Sequence, residues 1–318
     1  MSEEGVATYA WARADLAGGT LDLWPLWCLE PGAVTVNVSL RSGVRLRLTR
    51  TREAWLVHEM GKQRCLLDPK AQGQDLTATV VGHFFPEGGL VVQVQEQLPV
   101  GSGLGGSSVY AVALARGCLQ LAGKRLAMSK LVRTLQDLEA RVLGAPTGIQ
   151  DYYPALVRGV LAIHLMPGGE QVERLPVPKA WVKAHLSVVY TGVRHHSGLV
   201  NWEVYRARIE GQEDVIRGLA RVAEAARSCR SCLLQRDAVG VGKAIRKEWE
   251  ARQALSPSVS SPELTQVIAA GLEAGAWAAK ACGAGGGGSV LFWGPPSRRK
   301  AIFEAALEAA PGASLIPV

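Results

Sequence analysis

At 318 residues the chain can bury a substantial core, as one large domain or two of medium size. Apolar residues make up 48% and charged residues 20%, a balance that excludes a disordered or fibrous chain, and no apolar run reaches the roughly 20 residues a membrane helix needs. The formal net charge of +7 suits an anionic small molecule; the cluster Arg41, Arg45, Arg47, Arg50 and Arg52 mostly alternates with apolar residues, as on the wet face of a strand, and lacks the interleaved aromatics of a nucleic-acid binder.

The segment Met1-Ser2-Glu3-Glu4 is acidic and lacks the basic head and apolar body of a signal peptide, so a cytoplasmic protein is expected. Scattered cysteines at 28, 65, 118, 229, 232 and 282 are then expected to stay reduced. Cys229-Arg230-Ser231-Cys232 has no second pair for zinc and lies in a helical run, so two incidental thiols are expected there.

Taken in order, residues 8–14 read as a short strand. Arg13-Ala14-Asp15-Leu16-Ala17-Gly18-Gly19-Thr20-Leu21-Asp22 then sets two glycines between an arginine and two acids, a composition that suits a small-molecule loop or a turn. Residues 34–40 and 44–48 alternate as two strands about a Ser42-Gly43 turn. Weaker signals follow, a strand at 55–57 and a short helix at 75–85.

An apolar strand at 89–94 leads into Leu98-Pro99-Val100-Gly101-Ser102-Gly103-Leu104-Gly105-Gly106-Ser107-Ser108, and a helix is predicted over 109–121. Four glycines let the backbone come close to a ligand, and the helix start offers free N–H groups to an anion. Gly101, Gly103 and Gly106 fit the dinucleotide fingerprint, but residues 124–128 lack the acidic partner it needs. The Gly-Lys-Ser/Thr end of a P-loop is also missing, and an ordinary glycine-rich turn is the remaining alternative.

Residues 129–143 carry apolar residues at helical spacing, with Glu139 within them. The loop Gly144-Ala145-Pro146-Thr147-Gly148-Ile149-Gln150-Asp151 follows, and a strand is predicted over 157–165. Met166-Pro167-Gly168-Gly169 and Pro176-Val177-Pro178 mark a turn-rich connection and a boundary near 166–180. Beyond it come a strand at 186–190 and Thr191-Gly192-Val193-Arg194-His195-His196-Ser197. The paired histidines have no third ligand nearby, and adjacent side chains point different ways. Residues 199–254 and 262–279 read as helical, broken at Ser256-Pro257. Gly283-Ala284-Gly285-Gly286-Gly287-Gly288 then precedes a strand at 290–293, a helix at 297–309 and a strand at 314–318.

The string Pro99-x-x-x-Gly103-Leu104-Gly105-x-Ser107-Ser108 resembles the phosphate loop of the GHMP kinases, the galactokinase, homoserine kinase, mevalonate kinase and phosphomevalonate kinase superfamily. Gly106 stands where many members carry a serine. The Arg-x-x-x-Ala-Gly-Gly-x-x-Asp segment is similar to the N-terminal motif of the sugar-kinase branch, and Gly148-Ile149-Gln150-Asp151 is similar to its Gly-x-Gln-Asp-Gln loop, with Tyr152 in place of the second Gln. The run Gly283 to Gly288 matches the third superfamily motif. The motifs at 13–22, 99–108 and 283–288 stand in the superfamily's order and span nearly the whole chain.

The resemblance implies an α+β fold of two modules. Residues 1–170 would form a ribosomal-protein-S5-domain-2-like unit and residues 171–318 a ferredoxin-like one. It implies an enzyme that moves the γ-phosphoryl group of ATP to a hydroxyl of a sugar or sugar phosphate, at the anomeric position as in heptose 7-phosphate and fucose kinases. Asp151 would be the base, with Arg13 beside it. Pro99, Gly101, Ser102, Gly103, Leu104, Gly105, Gly106, Ser107 and Ser108 would hold ATP, and Ser107 and Glu139 a Mg2+ ion. Asp22, Gly18, Gly19, Thr191, Arg194, His196, Gly285, Gly286 and Gly287 would contact substrate. The implied partners are small molecules, with neither nucleic acid nor membrane, for a monomer or homodimer. The alternatives are a kinase of a non-sugar alcohol, of mevalonate or homoserine type, a non-catalytic nucleotide or sugar sensor, and, more distantly, a dinucleotide-dependent oxidoreductase.

Overall fold

The computed structural model describes residues 5–52, 56–68, 73–194 and 197–318. The first half runs β1 (Gly5–Ala17), α1 (Leu26–Leu29), β2 (Val34–Arg50), β3 (Leu56–Met60), β4 (Gln63–Leu67), α2 (Leu76–Phe84), β5 (Leu90–Glu96), α3 (Gly106–Leu121), α4 (Met128–Leu143), α5 (Tyr152–Leu156), β6 (Val160–Met166) and β7 (Gly169–Leu175). The second half runs α6 (Lys179–His185), β8 (Leu186–Tyr190), α7 (Ser197–Ile209), α8 (Glu213–Gln235), α9 (Ala238–Gln253), α10 (Pro262–Glu273), β9 (Ala278–Ala281), β10 (Ser289–Trp293), α11 (Arg299–Glu308) and β11 (Ser314–Ile316).

Strands β1 to β7 make one sheet, in the order β4-β3-β5-β2-β6-β7, with β1 also paired to β2. The long β2 is its spine: β5 pairs with residues 45–50 and β6 with residues 34–38, while β1 runs along nearly its whole length. One face of this sheet packs against α2, α3 and α4 through Leu46, Leu48, Val92, Val112, Leu114 and Leu135, all fully buried. Ala12, Ala14, Val36 and Leu40 belong instead to a second core with Cys229 and Ile245 of the long helices and Leu291 and Trp293 of β10. Both faces are covered over residues 12–17 of β1 and 34–40 of β2, so the polar residues that alternate with the apolar ones there are buried too.

The second sheet is antiparallel, in the order β11-β8-β10-β9. Numbered within itself this is 4-1-3-2, with the helices inserted between its first and second and its third and fourth strands, the ferredoxin-like arrangement. Val290, Phe292, Val267 and Ile302 close a third core between the sheet, α10 and α11.

Three local expectations fail for physical reasons. No turn forms at Ser42-Gly43, because β2 continues through it and β1 pairs on both sides of a bulge at residues 40–42; a Cβ on Gly43 would lie 2.1 Å from the Ala10 carbonyl oxygen, so the glycine permits close strand approach. The connection at 166–180 contains β7, with Pro167 and Gly168 forming the tight turn of a β6–β7 hairpin. The helix predicted to 279 stops at Glu273, since Gly275 at φ 107 ends it, and the alanines at 278–281 pair with β10 instead.

Candidate active site

Strand β1 shifts register against β2 between Trp11 and Arg13, and the irregularity accompanies an inward-facing Arg13. The guanidinium is 3% exposed. Its Nε donates to Asp151 Oδ1 at 2.7 Å and its Nη1 donates to the Gly103 carbonyl at 2.7 Å. One side chain therefore ties the acid at the start of α5 to the glycine loop before α3. Burial alone would make Arg13 easier to deprotonate; the charges of Asp151 and Asp15 outweigh it and hold the pKa above the ordinary arginine range.

A cavity of about 800 Å3 opens in front of this pair, within the size usual for small-molecule sites. Its wall takes Pro99, Gly101, Ser102, Gly103, Gly105, Gly106, Ser107 and Ser108 from the loop, with Arg13, Asp22, Glu139 and Asp151. Gly105 caps α3 at φ 78, and a Cβ there would lie 2.9 Å from Asp151 Cγ. Only glycine lets the helix start come this close to the acid. The first free N–H groups of α3 border the cavity, a place for phosphate.

The opposite wall is the loop between α4 and α5. Asp22 Oδ2 accepts from the Gln150 backbone N–H at 3.0 Å, and Leu23 bridges to Gly148. Asp22 is 2% exposed, and burial pushes its carboxyl up to about 6. Thr20, a non-glycine residue at φ 76, also lines the cavity. Such a backbone is strained and persists only where its surroundings hold it; Arg252 donates to its hydroxyl at 3.4 Å.

Glu139 of α4 lies 3% exposed. Its Oε2 accepts from Ser108 Oγ at 2.7 Å and from the Tyr152 hydroxyl, and the Ser107 side chain stands close enough to favour its charged form. Burial raises its pKa against those donors. Tyr152, the departure from the family's Gln, thus orients the acid on the neighbouring helix.

Behind the site lies a cluster of charges that no motif announced. Asp15, Glu248 and Lys280 are 0% exposed and Arg252 1%. Lys280 Nζ stands 3.1 Å from Asp15 Oδ2 and 2.9 Å from Glu248 Oε2, the latter an ion pair without hydrogen-bond alignment. Asp15 Oδ1 accepts from the Gly283 N–H at 2.9 Å and lies 3.6 Å from Arg13. Burial would push the Asp15 carboxyl up; Lys280, Arg13 and Arg252 with the Gly283 N–H hold it below the ordinary range. The members come from β1, α9 and β9, so only the fold brings them together.

The glycine run after β9 backs directly onto the phosphate loop. A Cβ on Gly103 would lie 2.5 Å from the Cys282 carbonyl oxygen, and one on Gly288 2.8 Å from Ser102. Gly283 and Ala284 reach the cavity, whereas Gly285, Gly286 and Gly287 stand outside its wall. Thr191 donates to the Gly288 carbonyl at 2.7 Å and anchors the end of the run. Gly18 and Gly19 lie behind the wall: Gly18 N–H donates to Glu248 at 3.2 Å, and a Cβ on Gly19 would stand 3.0 Å from both Arg252 and Asp15. Leu104 is fully buried in the second core, and Arg194 is exposed away from the cavity. His196, like His195, falls outside the described residues. Cys229 is buried and Cys232 half-buried on α8, both free thiols. Among the described residues no group of three or more His, Cys, Asp or Glu side chains could hold a metal, and no helix is long and apolar enough to cross a membrane.

The family model described as GHMP kinases N terminal domain matches residues 72–159, and that described as GHMP kinases C terminal matches residues 229–312. The chain belongs to the GHMP kinases. Among relatives, a bifunctional fucokinase/GDP-fucose pyrophosphorylase of Arabidopsis thaliana is 26% identical over 313 residues, 88% of this chain and 29% of that protein. A D-glycero-alpha-D-manno-heptose 7-phosphate kinase of Campylobacter jejuni is 23% identical over 212 residues, 65% of this chain and 62% of that one. The matches thus span less than two thirds of either relative. The crystal structure of Methanococcus jannaschii mevalonate kinase shares the fold at a TM-score of 0.76, with 15% identity over 100% of this chain and 98% of that one. This GHMP kinase therefore shares one architecture with proteins whose names carry different substrates.

One pair of cavity residues lacked a signal in the sequence. Asn201 and Trp202 of α7 join the wall from the second half of the chain, with Trp202 stacked on Tyr205 at 5.6 Å between ring centroids. Gln150 and Ser102 each present a buried polar atom with no hydrogen-bond partner among the described residues, Gln150 Oε1 and Ser102 Oγ. A buried polar atom left without a partner costs free energy, and a ligand in the cavity would supply one.

Proposed function

We propose that the protein transfers the γ-phosphoryl group of ATP to a hydroxyl of a sugar or sugar phosphate, the anomeric hydroxyl of a heptose 7-phosphate-like substrate. The observation that carries this reading is the placement of Asp151 in one cavity between the glycine loop on one side and Asp22 on the other. Phosphoryl transfer needs a cradle for the nucleotide phosphates, a group that accepts the hydroxyl proton, and positive charge where the transferring group passes. In this reading the residues from Pro99 to Ser108 form the cradle, in the N-terminal unit of residues 1–170. Asp151 accepts the proton as the hydroxyl oxygen attacks phosphorus. Arg13 holds Asp151 in position and stabilises the negative charge that develops. Asp22 and Gln150 hold substrate hydroxyls. The glycine run from the C-terminal unit, 171–318, supports the cradle from behind. Thr191, Gly18 and Gly19 then act on the substrate through the backbone they fix.

The hard oxygen donors of Glu139 and Ser107 fit Mg2+, which takes one or two protein oxygens and leaves the remainder to water and phosphate. Glu139 and Ser107 would hold the ion, and the bound ion would neutralise phosphate charge. The sugar branch is favoured over mevalonate or homoserine chemistry by the Ala17-Gly18-Gly19…Asp22 segment and by the fucokinase and heptose 7-phosphate kinase relatives.

The test is ADP release from Mg-ATP across a panel of sugars, sugar phosphates, mevalonates and homoserine, with Asp151→Ala in parallel. Turnover with one sugar, lost in the variant, is expected. Turnover with a non-sugar alcohol alone would overturn the substrate class, and ATP binding without turnover on any acceptor would favour a sensor.

A further inference from the structure

A second cavity, of about 640 Å3, lies where β2, β6, β7 and α6 meet, and it shares no lining residue with the first. Its floor is apolar, built from Val38, Val160, Leu175 and Val182, and no aromatic ring lines it. Three cations line it as well, Arg158, Arg174 and Lys179. Arg41 and Lys183 stand close enough for their charge to act on Lys179.

The nearby acids are engaged elsewhere. Glu173 precedes Arg174 on β7 and so faces the other side of the sheet, where it pairs with Arg230 at 2.6 Å and His164 at 2.8 Å. Glu96 sits 3.5 Å from Arg45. Val318 also lines the cavity. The slight burial of Lys179, and after it the charges of Arg158, Arg41 and Lys183, hold its ammonium below the ordinary range.

The cations are held in place. Arg158 lies over the Trp11 ring, 5.1 Å from its centroid. Gly159, at φ 137, leaves the space that Arg174 crosses; a Cβ there would stand 3.0 Å from Arg174 Nε. Like charges gathered around a cavity repel one another and together attract an anion into it.

We propose that this cavity is a second anion-binding site, for a small phosphorylated molecule that carries at least two negative charges. Arginine forks suit phosphate oxygens. The apolar floor suits a compact organic body, and the absence of aromatics along the wall argues against a nucleic-acid strand. The site stands independently of the phosphoryl-transfer reading.

Isothermal titration of the full-length protein with inorganic pyrophosphate, at physiological ionic strength, tests it. The first cavity also offers a phosphate cradle, so the decisive comparison is between wild type and Arg158→Glu/Lys179→Glu. Both residues are exposed, and equal thermal midpoints would verify folding. The charge-reversed protein is expected to lose one class of site by at least about tenfold, while Arg158→Lys/Lys179→Arg keeps it. Arg174→Gln alone should weaken the same class. Identical isotherms for wild type and the charge-reversed protein, or no pyrophosphate binding at all, would overturn the proposal. So would loss of binding to a short oligothymidylate without any change toward pyrophosphate, which would assign the cations to a nucleic-acid strand.

Discussion

The Asp22 carboxylate is fastened by the Gln150 backbone N–H at 3.0 Å, so an acid from the N-terminal loop is locked to the residue immediately before Asp151. The two carboxylates therefore move together, although 128 residues separate Asp22 from Gln150. Burial raises the Asp22 carboxyl to about 6. A folded-state value above the unfolded one means that the folded protein binds this proton more tightly. The stabilisation is then complete below about pH 3.8 and is lost as pH rises through about 6. Asp22→Asn removes this titration. Relative to wild type it should gain stability between about pH 4 and pH 7.5, by up to roughly 3 kcal/mol, while the KM for the acceptor substrate rises. Denaturant midpoints at both pH values check the first half; a gap that does not widen with pH would refute it.

Asp151→Ala should fold normally and turn over more slowly by about 10²–10⁴, the usual contribution of one general base. Its side chain is 24% exposed, so little packing is lost. Arg13 keeps Asp15 at 3.6 Å, which limits the cost of the vacated partner. Rates of ADP release and the thermal midpoint, read together, separate chemistry from folding, and a variant with full activity would remove Asp151 from the mechanism.

Gly105→Ala should impair the site without touching any charge. The residue sits at φ 78, and its new Cβ would lie 2.9 Å from Asp151 Cγ. A left-handed alanine costs about 1–2 kcal/mol, and displacing the base by about 1 Å can cost roughly 10²-fold in rate. We expect kcat to fall by at least about tenfold, with Gly123→Ala, whose Cβ would meet nothing within 4 Å, serving as a left-handed control that leaves kcat unchanged.

Lys280→Met should be strongly destabilising. It leaves the carboxylates of Asp15 and Glu248, both 0% exposed, short of a cation. Breaking one partner of a buried pair costs about 3–5 kcal/mol. Adding Glu248→Gln should recover part of that loss. Chemical denaturation of the two variants decides it, and equal midpoints for the single and double variants would contradict the pairing.

Glu139→Gln should raise the Mg2+ concentration needed for half-maximal rate, because the amide keeps the shape but not the charge of the donor. Tyr152→Phe, which removes a hydroxyl that holds Glu139, should shift the same curve in the same direction by less. Magnesium titrations of both variants against wild type provide the measurement.

Much of this site was legible because its chemistry is written in short strings. Gly103, Gly105, Ser107 and Ser108 suit close backbone approach and a helix start with free N–H groups by composition, the resemblance narrowed that to a phosphate loop, and the structure puts all four on the cavity wall. Glu139 and Asp151 acquired meaning only through resemblance, as lone acids on a helix and in a loop have none by themselves. What stayed hidden depends on long-range contact. Lys280 reads as one more charged residue after a run of alanines until β9 buries it against Asp15, 265 positions away. Trp202 reads as an ordinary helical aromatic until α7 brings it to the cavity wall. The errors have a related origin: Gly43 and Ala278 to Ala281 carry local preferences for turn and helix that strand pairing overrides.

The charges behind the site also constrain how substrates come and go. Asp15, Glu248, Arg252 and Lys280 join β1 of the first sheet to α9 and β9 of the second half without contact with water. Prising the halves apart would hydrate one side of each pair while stripping it of its partner, so a clam-like hinge through this seam is the slowest door available. The cavity wall also carries exposed apolar side chains, Val100 at 63% and Leu143 at 50%, which no such ion pair holds. Turnover is therefore expected to answer more to substitutions at Val100, Leu143 and Trp202, which line the cavity, than to the stiffness of the joint between the two sheets.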